Sequence, residues 1–177
     1  MKIRLFVLLV CLGFMHSLPA YSHSKNESHL ERFPTIIKLQ GNVKRAIVHF
    51  VPTGYNKNSR GSMYIYQDLN QIRVSGVMAG LRPNATYLIR VHEFGDTSVP
   101  SGVKLGAFKF DLLGLFKTNK IGDASFEFTN ETVTIMGIRN PILGLGIGVY
   151  LDEDFDERDS LGKVSSMGVV GIAEVLD

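Results

Sequence analysis

From residue 46 onward the chain alternates between apolar and polar positions over short runs, and almost nowhere does it repeat at helical spacing. The run 124–129 is the clearest case. Ala124, Phe126 and Phe128 fall on one side of an extended strand, and Ser125, Glu127 and Thr129 on the other. Similar runs at 46–52, 61–67, 71–80, 86–93, 113–117, 132–136, 146–151 and 167–175 are separated by Gly, Asn, Asp or Pro. Strands this short at this spacing predict an antiparallel sandwich or barrel. Asp68-Leu69-Asn70 and residues 119–123 supply tight connections, whereas 95–112 and 152–166 are long ones, where function tends to gather on a β scaffold.

The N-terminus follows a different pattern. Lys2 and Arg4 precede an apolar run at 5–14, and Ala20-Tyr21-Ser22 forms a small-x-small site, so residues 1–22 read as a secretory signal peptide. The run is too short to span a bilayer, and no later stretch approaches that length. Residues 23–45, polar at first and apolar at 35–39 after Pro34, read as an N-terminal extension to a domain at 46–177. The expected product is a secreted, extracellular protein without a membrane span.

Losing the signal changes the charge. The whole chain carries 19 Lys and Arg against 17 Asp and Glu, and without Lys2 and Arg4 it becomes formally neutral. A neutral chain lacks the clustered basic excess that nucleic acid or heparin requires. Cys11, the single cysteine, goes with the signal, so disulfides and thiolate metal sites go as well. Asn26, Asn84 and Asn130 head N-x-Ser/Thr sequons without proline, which behind a signal become candidate glycosylation sites on surface turns.

The most motif-like stretch is Arg90-Val91-His92-Glu93-Phe94-Gly95-Asp96, at the end of the 86–93 strand. Extended geometry puts Arg90 and His92 on one face. Together with Gly76-Val77-Met78-Ala79-Gly80-Leu81, Ile142-Leu143-Gly144 and Gly168-Val169-Val170-Gly171-Ile172-Ala173, this stretch resembles the copper/zinc superoxide dismutase family over 46–177. The resemblance implies an eight-stranded Greek-key β-barrel with metals on one outer face. Members of that family often dimerise, so a homodimer is one expectation.

Transferred residue by residue, the resemblance also implies that most of the metal site is gone. Arg90 stands where the family has its first copper histidine, and His92 keeps the second. Tyr150 falls at the late copper histidine, Val164 at the active-site arginine and Met167 at a disulfide cysteine. The chain has no histidine after His92, and of the zinc ligands only Asp111 has a counterpart. Residual metal positions are therefore His92 and Asp111, with no catalytic residue and no cofactor expected. A phenol with a pKa of about 10 is a poor ligand, and a guanidinium repels a metal ion. A richer expectation is that Arg90 replaces the lost metal charge by pairing with an acid, Asp111 or one of 152–159.

The remaining motifs weaken on inspection. Asp152, Asp154 and Asp156 mimic the opening of a calcium loop, but Glu157 occupies its glycine position and Lys163 its closing acid, so a solvated acidic loop is expected. Gly144-x-Gly146-x-Gly148 has no strand-to-helix context and reads as small residues in a strand. The leading function is a secreted, catalytically inactive dismutase-like protein that binds an extracellular protein partner or serves as a structural component. The alternative is a divergent copper-only dismutase using His92 and unexpected ligands, the one reading in which copper or zinc would be a cofactor.

Overall fold

Backbone pairing confirms the all-β reading. The structure, a computed structural model, describes residues 43–96, 104–156, 158 and 163–175. All of them belong to one unit, Pro34–Asp177. The signal segment, residues 23–42, Asn26 and Asp159 lie outside the described residues.

The elements in chain order are β1 (Val43–Pro52), β2 (Arg60–Gln67), β3 (Ile72–Ala79), β4 (Thr86–His92), β5 (Gly95–Asp96), β6 (Lys104–Leu105), β7 (Phe108–Lys117), β8 (Ala124–Asn130), β9 (Gly146–Leu151), a 3-10 turn (Asp152–Asp154), β10 (Val164–Val169) and β11 (Gly171–Val175). The large sheet runs β7-β4-β9-β10-β1-β2-β3-β8, with β11 beside β1, and every pairing in it is antiparallel. The sheet curls until its end strands meet. Phe116 of β7 stacks on Phe126 of β8 at 4.6 Å, and the Asn130 amide donates to the Leu113 carbonyl at 3.0 Å.

Alternation explains the inner surface. Ala46 and Val48, Met63 and Ile65, and Ile72 and Val74 have no exposed surface and fill the concave side, joined by Ile89, Val91, Ile147 and Val149. Each of these side chains other than Ala46 contributes roughly 1.5–3 kcal/mol of burial. On β8 the predicted inward residue Phe126 is buried, and Ser125, Glu127 and Thr129 are exposed as expected.

Strands β4, β9 and β10 depart from alternation because both of their faces are covered. All six residues of β9 are buried, as are the first five of β10. Their second face packs into a smaller cluster of Leu105, Tyr150, Val164 and Met167, with Leu88, Phe108 and Phe155 against it. Two glycines permit this close cover. A Cβ on Gly146 would lie 2.4 Å from the Phe94 carbonyl oxygen, and one on Gly148 would lie 2.7 Å from the Tyr150 ring and 3.0 Å from His92 Nε2.

Three sequence expectations need correction. The run 132–136 is not a strand: Val133 and Ile135 are buried, but the Ile135 amide bonds the Gln67 side chain at 2.8 Å, and only an isolated bridge joins Thr134 to Pro141. Burial of two alternate residues satisfied the pattern without a partner strand. The first strand begins at Val43, three residues before the start expected at Ala46, because Val43 still pairs with Val175. Finally, the connection 95–112 is shorter than its sequence suggested, since β5 pairs with β6 and β7 already begins at Phe108. The tight turns fall where expected: the Asp68 amide donates to the Gln71 carbonyl at 2.9 Å, and Asn119 Oδ1 accepts from the Ile121 and Asp123 amides.

Candidate functional site

Pleating turns Leu88, Arg90 and His92 of β4 away from the main core and toward the smaller cluster. Register then delivers the third residue. On β9, Gly148 stands opposite Arg90 and Gly146 opposite His92, so Tyr150, two residues beyond Gly148, lies on the same face. The missing side chain at Gly148 leaves the space in which Tyr150 meets His92.

Both nitrogens of His92 are engaged. Nδ1 lies 2.8 Å from the Gly106 carbonyl oxygen and Nε2 lies 2.9 Å from Tyr150 Oη. A carbonyl can only accept, so Nδ1 carries the proton and donates; Nε2 then accepts from the tyrosine hydroxyl. Burial pushes the His92 pKa below its ordinary value, and the nearby Arg90 charge adds to that against the Gly106 hydrogen bond. Burial raises the Tyr150 pKa, with Arg90 opposing. The pair is therefore a neutral imidazole and a neutral phenol.

Aromatic rings enclose it. Phe108 lies 4.6 Å from the His92 ring and 5.9 Å from Tyr150, and Phe155 meets Tyr150 edge-on at 5.3 Å. The Arg90 guanidinium carbon sits 4.9 Å from the Phe108 centroid and 5.1 Å from that of Phe155. A cation between two ring faces, largely out of water, gains roughly 2 kcal/mol. Arg90 is 8% exposed, and His92 is fully buried.

The loop that brings Phe155 is tied down by its own acids. Tyr55 donates its hydroxyl to Asp154 at 2.8 Å, and Arg82 forms an ion pair with Glu153. The hydrogen bond to Asp154 is the main cause of the raised Tyr55 pKa. Among the described residues no group of three or more His, Cys, Asp or Glu side chains could hold a metal ion. Asp154 and Glu153 thus tether this loop to Tyr55 and Arg82.

The copper position implied by the resemblance does not fit copper. His92 has both nitrogens committed to protein partners, Arg90 places a cation beside it, and Tyr150 holds its proton. Val164 and Met167, expected at arginine and cysteine positions, are buried in the apolar cluster. Asp111 lies on β7 next to Leu112, the register partner of Arg90, and its side chain is outside the described residues. Of the acids expected to face Arg90, Glu153 and Asp154 are directed to Arg82 and Tyr55 instead.

The sequons differ. Asn84 is exposed in a turn with φ of 52°, a left-handed conformation that asparagine tolerates. Asn130 is half-buried, with its Oδ1 accepting from the Thr132 amide and hydroxyl while its nitrogen donates to Leu113. Sequence reasoning missed Leu105, Gly106, Phe108 and Phe155. A signal existed for Phe155, a lone aromatic ring inside the acidic run 152–159.

No family model and no curated protein matches the sequence. Among solved structures the chain is similar to the clock protein EA4, with a TM-score of 0.56 and 21% identity over 74% of this chain and 96% of that one. At that identity the likeness describes the fold alone. The class defined here is an all-β protein with a curled antiparallel sheet, and no helix among the described residues is long and apolar enough to cross a membrane.

Proposed function

We propose that this chain is a secreted, catalytically inactive member of the superoxide dismutase-like barrels, of the eight-stranded Greek-key type, that acts by binding a protein partner or as a structural extracellular component. One observation carries the reading: both nitrogens of His92 are committed, to Gly106 and to Tyr150, beside the buried Arg90 cation. A redox copper site needs several imidazoles and an open coordination position. Here the corresponding space holds a hydrogen-bonded pair packed under Phe108 and Phe155.

Binding copper would require breaking the Tyr150 bond and bringing a dication next to a guanidinium. Both costs oppose metal entry. The signal-like N-terminus and the sequons support an extracellular setting.

Metal analysis after copper loading and dialysis, paired with a superoxide assay, tests the proposal. Copper well below one equivalent, with dismutation no faster than in a copper-free control, is the expected outcome. Stoichiometric copper with fast dismutation would establish the copper-only enzyme instead.

A further inference from the structure

The outer face of strands β1, β2, β3 and β8 carries recognition chemistry of its own. Register arranges it in tiers. Arg45, Tyr66 and Arg73 stand directly across from one another on β1, β2 and β3. Two residues along, Tyr64 stands across from Ser75, and Ser75 across from Glu127. The next tier sets Ser62 beside Val77 and Val77 beside Ser125. The intervening residues Met63, Ile65 and Val74 are fully buried, so the pleat turns all three tiers outward.

Cations and rings interleave on this face. The Arg73 guanidinium carbon lies 4.6 Å from the Tyr66 centroid, and that of Arg45 lies 5.5 Å from Tyr64. The two tyrosine rings are 6.4 Å apart. Stacking on a ring orients a guanidinium so that its edge can meet a carboxylate with two parallel hydrogen bonds. Glu127 reaches Arg73 at 3.7 Å, but both side chains are well exposed, at 64% and 44%, so the pair competes weakly with an incoming acid.

Small residues next to the rings leave a hollow. Ser62, Ser75 and Ser125 line a cleft of about 430 Å³ with Tyr64 and Val77. Val77 is 54% exposed and Tyr64 38%, so the cleft offers an open apolar contact.

We infer that this face docks a partner protein presenting carboxylates around one apolar anchor. The anchor enters the cleft between Tyr64 and Val77, and the carboxylates meet Arg73. This deepens the proposed binding function and rests on it. Tyrosine and arginine are enriched at protein recognition surfaces, and tyrosine with serine in antibody paratopes. A polyanion would need a continuous basic track, whereas here rings and Glu127 separate the arginines.

Selection of a random peptide display library on the full-length protein tests the inference, followed by fluorescence polarisation of the selected peptides. Peptides combining Asp or Glu with Phe or Leu are expected. They should lose about tenfold or more in affinity on Tyr64→Ala and on Arg73→Glu, as anchor positions do. Glu127→Lys should tighten binding a few-fold by removing the competing acid and adding a cation, a gain that misfolding cannot produce. Three results would overturn the inference: selected peptides that bind all three variants like the parent, a heparin hexasaccharide that outcompetes them through Arg73, or sedimentation showing a dimer that Arg73→Glu dissociates. Copper loading reads the His92 cluster and not this face, so failure of the inference and failure of the non-catalytic reading are separately visible.

Discussion

Strands β4, β9 and β10 are covered on both faces, while β1, β2, β3 and β8 send alternate residues to the core and to solvent. The same pleat serves two purposes. On the open half, polar residues can face water at little cost, and tyrosine and arginine form cross-strand pairs. On the covered half, every polar group must find a partner inside the protein. His92 and Tyr150 do so by bonding each other and Gly106. The covered half therefore resists substitution, and the open half is where change is cheap.

The largest expected difference between the halves comes from truncating one tyrosine in each. Tyr150→Ala removes a buried ring and orphans His92 Nε2, and should cost about 3–5 kcal/mol in urea unfolding. Tyr64→Ala should cost less than about 1 kcal/mol, since it removes a half-exposed cross-strand neighbour. Equal losses would show that the two faces are not energetically distinct.

A smaller loss is expected from Arg90→Met. It removes the cation between Phe108 and Phe155 while keeping an unbranched chain, and should lower stability by about 2 kcal/mol. An unchanged melting temperature would remove Arg90 from the interactions that hold the Phe155 loop.

The smallest predicted effect is a pH dependence. The folded pKa of His92 lies below its ordinary value, so on acidification the unfolded chain takes up a proton before the folded one does. Stability from the neutral pair is complete well above pH of about 6.5 and falls as pH drops below it, levelling off once the folded pKa is passed. His92→Gln should flatten that slope in melting curves taken across mildly acidic buffers. A slope that survives the substitution would assign it to other groups.

The alternating strands were readable because solvent leaves a period-two signature on β8 and on 61–67. The covered strands carry none: Gly146 to Leu151 is buried throughout, and its role emerges only from the loops laid across it. Arg90 and His92 could be placed on one face from spacing alone. Tyr150 was suggested by the family resemblance, but its hydrogen bond depends on the space left at Gly148, and a glycine in sequence does not say what occupies its vacancy. Phe155 reaches the cluster from a long connection, and Phe108 opens β7 inside a run that reads in sequence as another, so periodicity gives neither a direction. The run 132–136 failed for the opposite reason, because Val133 and Ile135 obey the pattern while the Ile135 amide bonds the Gln67 side chain and its carbonyl accepts from the Leu143 amide.

Where β7 and β8 meet, no backbone ladder joins them among the described residues, and the sheet is clasped instead by the Phe116–Phe126 stack and the Asn130 amide. Mechanically this makes the sheet a cuff with a fastener and not a continuous pipe. Load placed across the fastener would part side-chain contacts one after another, whereas load along any paired strand must shear many hydrogen bonds at once. Asn130 is at once part of that fastener and the head of a sequon, so attaching a sugar there would alter the line along which β7 and β8 part.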